Sequence, residues 1–314
     1  MLNNLSEKEK QIYETCMLQI KRNNADYLMV RKSKEYRLGL MLSTIKKLLK
    51  SGKFKMLKKE AAMRRMEKKV ARRKFKKPDM QTSVRKPDYF SDERIAIYTC
   101  VFGKYDKIIE PDVFPDNCDY YIITDNDVPE TSSWKKMNID SLQDTIKNMT
   151  NAEKNRYFKI LPHKVFSDYK YSIYIDGNIQ VISDLTEYIH YLGKTGVGFH
   201  LHPGRCCVYE EAQAVLIYKK ETKENIKKHI EHLEAEKMPR YYGMCECNVI
   251  VREHHNPVCK KLMSEWWEEY ITYAKRDQLS LPYVLYKNQI PVFEVAVLGN
   301  NVKLNPSFRV IRHI

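Results

Sequence analysis

Asp176 and Asn178 lie two residues apart, across Gly177, directly behind the apolar run Tyr171-Ser-Ile-Tyr-Ile. At that spacing two oxygen-bearing side chains can face one hard cation, and such a cation can hold a diphosphate. The same three residues also suit an ordinary tight turn between strands, and composition alone favours that reading. Upstream, Arg156 and Lys159 fall about one turn apart on a predicted helix face, where they can meet phosphate oxygens. On an arbitrary helix they would simply be solvated.

These residues must be positioned by the elements around them. Ile95-Ala-Ile-Tyr-Thr-Cys-Val and Tyr120-Tyr-Ile-Ile-Thr read as buried strands that stop at Gly103 and Asp125. Thr150 and Glu153 form a capping box ahead of a helix carrying Phe158, Leu161 and Val165. A third strand ends at Asp176, and a short helix is expected after Ser183. A strand near Val197, helices around Val208–Tyr218 and Glu221–Glu236, and a strand at Asn248-Val-Ile-Val follow. Asn256-Pro257 then caps a long helix with Trp266 and Trp267. The alternation predicts an α/β domain with a mostly parallel sheet, its ligand sites at strand C-termini. No G-x-G-x-x-G or Walker lysine motif occurs, which removes the main support for dinucleotide oxidoreductases and P-loop enzymes.

Charge divides the chain sharply. Residues 1–94 hold 27 basic and 11 acidic side chains, whereas residues 95–314 hold 28 and 29. Such a break predicts a basic helical segment over 1–77, a linker over 78–94 around Pro78 and Pro87, and a catalytic domain over 95–314. Leu38, Met41, Leu42, Ile45, Leu48 and Leu49 recur at helical spacing among lysines. Gly52 is expected to break this helix before a second, more basic one over about 55–74. An anionic membrane surface is the partner that an apolar face beneath a Lys/Arg face suits first, through residues 38–77. A solvated hairpin is the plain alternative, and nucleic acid has only charge in its favour. With no signal-peptide pattern and no uninterrupted run of 18 apolar residues, a cytoplasmic protein peripheral to the inner face of the cell membrane is expected. The eight cysteines include no C-x-x-C. Cys206-Cys207 and Cys245-x-Cys247 suit a soft metal or a disulfide, but buried thiols are the expectation.

Five motifs occur in order: Ile97-Tyr-Thr-Cys-Val-Phe-Gly-Lys-Tyr-Asp106, Asn155-Arg-Tyr-Phe-Lys-Ile-Leu-Pro-His163, Tyr174-Ile-Asp-Gly-Asn178, His202-Pro-Gly-Arg205 with Tyr209-Glu-Glu-Ala212, and Arg276-Asp-Gln-Leu-Ser280. Together they resemble a glycosyltransferase-like domain family of bacteria and plants, formerly of unknown function. Its plant members include the mucilage-related and turgor-defect proteins. The resemblance spans roughly residues 95–300 and implies a GT-A-like fold: a Rossmann-type mixed sheet flanked by helices, here preceded by the basic helical segment. It implies a nucleotide-sugar donor and a glycan or lipid-linked acceptor, as in bacterial cell-surface polysaccharide synthesis.

By position, the resemblance places Gly103 where the backbone approaches the nucleotide closely, and Asp125 at base or ribose. Arg156, Lys159 and Asp176 would bind the nucleotide sugar. Asp176 and Asn178 would take the D-x-D place that holds Mn²⁺ or Mg²⁺, with Asn for the second Asp weakening metal binding. His313 would be a C-terminal metal ligand. His202 and Arg205 would line the sugar or acceptor pocket, Arg205 suiting an anionic group; Glu246 and Asn248 could face the acceptor, or equally serve strand packing. Asp277, beside Arg276, would act as catalytic base on the acceptor hydroxyl, or else cap the helix that follows. A hydrolase on the same fold, and a non-catalytic nucleotide-sugar or nucleic-acid binder, are the other function classes left open.

Residues 46–77 carry 16 basic residues against Glu60 and Glu67. Each cation near an anionic leaflet contributes about 1 kcal/mol, and micromolar binding needs only about 8 kcal/mol. The full chain is therefore expected to sediment with anionic vesicles and to be released by high salt. A chain starting near Asp88 is expected to fold and stay in the supernatant. Vesicle binding that survives this truncation would place the contact elsewhere.

Overall fold

The computed structural model describes residues 33–50, 56, 58, 59, 61–63, 65, 93–103 and 108–311. Gly52, most of the expected linker and His313 lie outside these residues. The chain divides into two compact units, residues 1–74 and 75–314. In the first, helix α1 (Lys34–Lys50) begins where the Ser33 hydroxyl accepts the Tyr36 N–H at 3.1 Å. Leu38, Leu42 and Leu49 on this helix are exposed. Among the described residues no helix is long and apolar enough to cross a membrane.

The second unit runs β1 (Ile95–Val101), β2 (Cys118–Thr124), β3 (Lys135–Lys136), α2 (Gln143–Ile146), α3 (Asn151–Ile160), β4 (Tyr171–Ile175) and β5 (Ile179–Val181). It continues through β6 (Val197–Leu201), α4 (Val208–Ile217), α5 (Lys223–Ala235), β7 (Cys245–Glu253), α6 (Pro257–Thr272), α7 (Asp277–Lys287), α8 (Val292–Val295) and β8 (Phe308–Val310). The expected short helix after Ser183 is a 3₁₀ turn over Thr186–Tyr191.

Six strands form the central sheet in the order β3-β2-β1-β4-β7-β6. β1 lies parallel to β2 and β4, and β2 to β3, whereas β7 runs antiparallel to both β4 and β6. The sheet is thus mixed, and the reversed β7 brings its early residues beside the end of β4. Every residue of β1 is buried, as a strand covered on both faces requires. Its alternate side chains enter opposite cores. Ala96, Tyr98 and Cys100 join Phe158 and Trp266, and Ile95, Ile97 and Val101 join Ile122 and Ile173.

Asp176-Gly177-Asn178 is not a hairpin turn. The strand it leads into, β5, pairs with β8 in a separate two-stranded sheet and leaves β4 behind. The Asn178 carbonyl accepts the Ile311 N–H at 2.8 Å, and Asn178 Nδ2 donates to the Ile311 carbonyl at 3.2 Å. A distant stretch of chain therefore fixes the turn.

Both ends of α3 are secured. Thr150 and Glu153 make the capping box read in the sequence, with Glu153 also ion-paired to Lys275. At the other end the Tyr98 hydroxyl donates to the Phe158 carbonyl at 3.1 Å, and the wholly buried Arg252 donates to the Lys159 carbonyl at 2.5 Å. These donors satisfy carbonyls that have no partner within the helix. Seven cysteines are described, all as free thiols and most of them buried.

Thr150→Ala removes the cap at the start of α3 and is expected to lower stability by about 1 kcal/mol. Urea denaturation should show a lower midpoint at unchanged slope, with Thr150→Ser close to wild type.

Candidate active site

Two cavities open at the C-terminal edge of the sheet, both lined in part by Phe102. The larger, about 550 Å³, lies beyond β1 and β4 and is lined by Phe102, Asn151, Asn155, Arg156, Tyr174, Asp176, Asn178, Lys220 and Arg276, among others. The smaller, about 460 Å³, lies beyond β1 and β2, where Thr124, Asp125, Lys136 and Lys154 line it.

The wall of the larger cavity is organised by Lys159, whose side chain is 1% exposed. Its Nζ lies 3.0 Å from Asp176 Oδ1 and 2.7 Å from Asp277 Oδ2, so one ammonium joins the end of β4 to the start of α7. Arg156 Nε reaches the same Asp277 oxygen at 3.1 Å. The Tyr174 hydroxyl donates to Asp176 Oδ1 at 2.8 Å. Residues 174 and 176 fall on one side of the strand line, which is why the tyrosine reaches the turn. Asn155 Nδ2 donates to the Cys100 carbonyl at 2.6 Å and ties α3 to β1, while its Oδ1 accepts from Arg156.

This geometry revises several expectations. Asp277 is the first residue of α7, with Arg276 at the N-cap position, and its side chain is 5% exposed. Burial alone would raise its pKa. The charges of Arg156, Lys159 and Arg276 overcome that and hold it far below the ordinary carboxylate range. In this structure the carboxylate lines neither cavity and serves as the ion-pair partner of Arg156 and Lys159. Lys159, expected at phosphate oxygens, is committed to two carboxylates. Arg156 and Arg276 do face the cavity, as does Asp176.

The residues expected around the sugar or acceptor sit apart from the cavity wall. His202 Nδ1 accepts the N–H groups of Gly204 and Arg205 and so shapes its own loop. Burial draws the pKa of His202 down to about 4. Arg205 is paired with Glu211. Glu246 is buried on β7, where Oε2 accepts the Val302 N–H at 2.8 Å and burial raises its pKa. Neither it nor the two loop residues line either cavity. Gly103, at φ +68°, donates its N–H to Asp125 Oδ1 at 2.8 Å, and a Cβ there would lie 2.7 Å from Asn151 Nδ2. Gly103 and Asp125 thus belong together beside the smaller cavity.

A divalent metal is not accommodated by the described residues. Asp176 Oδ1 already receives two donors, and Asn178 brings no charge while its Nδ2 serves Ile311. Among the described residues no group of three His, Cys, Asp or Glu side chains is arranged to hold a metal ion. In this structure the turn expected to hold a metal through Asp176 and Asn178 is ion-paired to Lys159 and clasped to Ile311, while His313 lies outside the described residues.

Sequence reasoning missed Lys220, Asn151 and Tyr174 as cavity residues. Tyr174 was legible from its two-residue spacing to Asp176, whereas Lys220 follows α4 with no local sign of its role.

The sequence profile of the TOD1/MUCI70, glycosyltransferase-like domain matches residues 68–305. The chain belongs to this family. The match begins within the basic stretch, ahead of β1. No curated protein matches the sequence. Among solved structures, the bifunctional glycosyltransferase WbbM is similar at 12% identity and TM-score 0.41, over 66% of this chain and 39% of that one. The chain thus spans well under half of WbbM's length. The galactosyltransferase LgtC, solved with donor and acceptor sugar analogues, is similar at 12% identity and TM-score 0.35, over 61% of this chain and 70% of that one. Mouse xyloside xylosyltransferase 1 is similar at 8% identity and TM-score 0.36, over 65% and 83%. Likeness this remote transfers no activity.

The ion-pair role of Asp277 has a pH signature. A carboxylate with a depressed folded-state pKa stabilises the protein fully above its unfolded value of about 4, and the contribution fades as pH falls below that. Asp277→Asn is expected to cost about 3 kcal/mol or more at neutral pH by leaving buried cations underpaired. In urea denaturation from neutral pH down to about pH 3, the gap to wild type should narrow only below about pH 4. A gap independent of pH would mean that Asp277 does not act through its charge.

Proposed function

We propose that this glycosyltransferase-like domain transfers a sugar from a nucleoside-diphosphate donor to a glycan or lipid-linked acceptor. The observation that carries the proposal is the larger cavity, where three cations and a single carboxylate, Asp176, converge at the C-terminal edge of the sheet. Strand C-termini at the switch in an open α/β sheet are where ligands of this class bind. The diphosphate belongs beside Arg156, Lys220 and Arg276. The nucleoside belongs across Phe102 in the smaller cavity, beside Gly103 and Asp125.

In this arrangement the acceptor hydroxyl attacks the anomeric carbon, the bond from that carbon to the phosphate oxygen breaks, and the hydroxyl proton passes to the departing diphosphate. The departing diphosphate gains negative charge as it leaves, and fixed cations stabilise that charge most when water is excluded. Asp176 keeps Oδ2 available for a sugar hydroxyl, because Lys159 and Tyr174 both take Oδ1. The exposed leucines of α1 and the basic residues beyond it support work at an anionic membrane face, with cell-surface glycan as the product class and the cytoplasmic side as the location.

Product analysis with a panel of nucleotide sugars tests the reading: transfer to an acceptor supports it, and release of free sugar with no transfer would make the protein a hydrolase. Asp176→Asn keeps an acceptor for Lys159 and Tyr174 but removes one of the two counter-charges on the buried ammonium, so its urea midpoint should fall while the variant stays folded at the assay temperature. Turnover is expected to fall at least about a hundredfold, the cost of losing one group that contacts the reacting sugar. Wild-type turnover in this variant would remove Asp176 from the site.

A further inference from the structure

We propose that the larger cavity binds the diphosphate through protein cations alone, with Arg156, Lys220 and Arg276 supplying the positive charge and no divalent ion required. The nucleoside part of this inference rests on the glycosyltransferase reading; the diphosphate part does not.

The acidic turn is already neutralised from within. Lys159 stands against Asp176 Oδ1 and Asp277 Oδ2 at 3.0 and 2.7 Å, and a second cation at Oδ1 would meet this ammonium at close range. Asn178 offers no charge to offset that repulsion. Behind the wall Lys159 and Asp277 cancel each other. The lining itself retains Arg156, Lys220 and Arg276 against Asp176, a surplus of two positive charges facing open volume. A diphosphate brings charge of that size and the opposite sign.

Two of these cations have no carboxylate partner among the described residues, the Lys220 ammonium meeting only the face of the Tyr218 ring. Arg276 Nε is enclosed and makes no hydrogen bond among the described residues, and a buried donor without an acceptor is a rare and costly feature. Lys220 has no ion pair among the described residues. Desolvation at the cavity, then the neighbouring Arg276, draws its pKa below the ordinary lysine value. An anion between the two would relieve both. The start of α3 adds to this: Asn151 and Ala152 line the cavity, and N–H groups in the first helical turn have no carbonyl within the helix. The Thr150 cap takes the Glu153 N–H, which leaves those of Asn151 and Ala152, with the helix dipole, to suit phosphate oxygens. The cations, the orphaned guanidinium nitrogen and the helix start therefore converge on one anion.

Isothermal titration of the full chain decides the matter, with inorganic pyrophosphate, UDP and GDP as probes, in EDTA and again with Mn²⁺. Pyrophosphate and at least one nucleoside diphosphate are expected to bind in EDTA, with affinity changing less than about threefold on adding Mn²⁺. Lys220→Gln and Arg276→Gln should each weaken binding about tenfold or more. Lys220 is exposed, so its variant leaves the core intact, and unchanged urea midpoints confirm folding for both. Binding seen only with Mn²⁺ overturns the inference and leaves the glycosyltransferase reading standing. Pyrophosphate binding in EDTA without any nucleoside diphosphate supports the cationic site and removes the glycosyltransferase reading. No binding under either condition, or full affinity in both variants, overturns the inference.

Discussion

Burying the Lys159 ammonium is the constraint on which the site depends. An isolated charge taken out of water costs several kcal/mol even after relaxation, so the surrounding chain must supply opposite charge at hydrogen-bond distance. Here two carboxylates arrive from elements far apart in sequence, Asp176 from the end of β4 and Asp277 from the start of α7. The position of α3 against the sheet is fixed by the same requirement. Its C-terminal carbonyls are taken by Tyr98 and Arg252, so the helix can neither slide nor unwind at that end without stranding polar groups. One lysine thus sets the mutual placement of a strand end, a helix start and a helix end.

The two carboxylates beside the larger cavity have different jobs. Asp277 is spent on holding Arg156 and Lys159, which leaves the Arg156 side chain partly exposed and correctly placed at the cavity. Asp176 divides its two oxygens, one facing inward to Lys159 and Tyr174, the other left for solvent or ligand. Positive charge at the cavity surface is therefore backed by a buried counter-charge, which keeps the cations in place when no ligand is bound. Preorganisation of this kind lowers the reorganisation needed as charge develops on a leaving group.

Much of this was legible in the sequence, and the exceptions share a cause. The buried strands, the capping box at Thr150 and Glu153, and the helix after Asn256-Pro257 are local patterns, and each is present in the structure. The α/β class followed from their alternation, and the mixed sheet from the family resemblance. The role of Asp277 could not be read, because a carboxylate at a helix start looks the same whether it caps, accepts a proton or pairs with a lysine 118 positions earlier. Lys220 was missed for the same reason: nothing beside it in sequence tells that Arg276 faces the same cavity. Asp-Gly-Asn reads as a hairpin turn on composition, and only the pairing of β5 with β8 shows that it is not one.

That last pairing also bears on when the site can form. Asn178 exchanges two hydrogen bonds with Ile311, a partner 133 residues further along. Contacts of such long sequence separation demand a large loop closure and tend to form late. During synthesis the strands that flank the cavity can emerge and pair while the turn bearing Asp176 still lacks its clasp. That clasp closes a loop of 133 residues, so nearly the whole domain must be present before Asn178 is held from its far side.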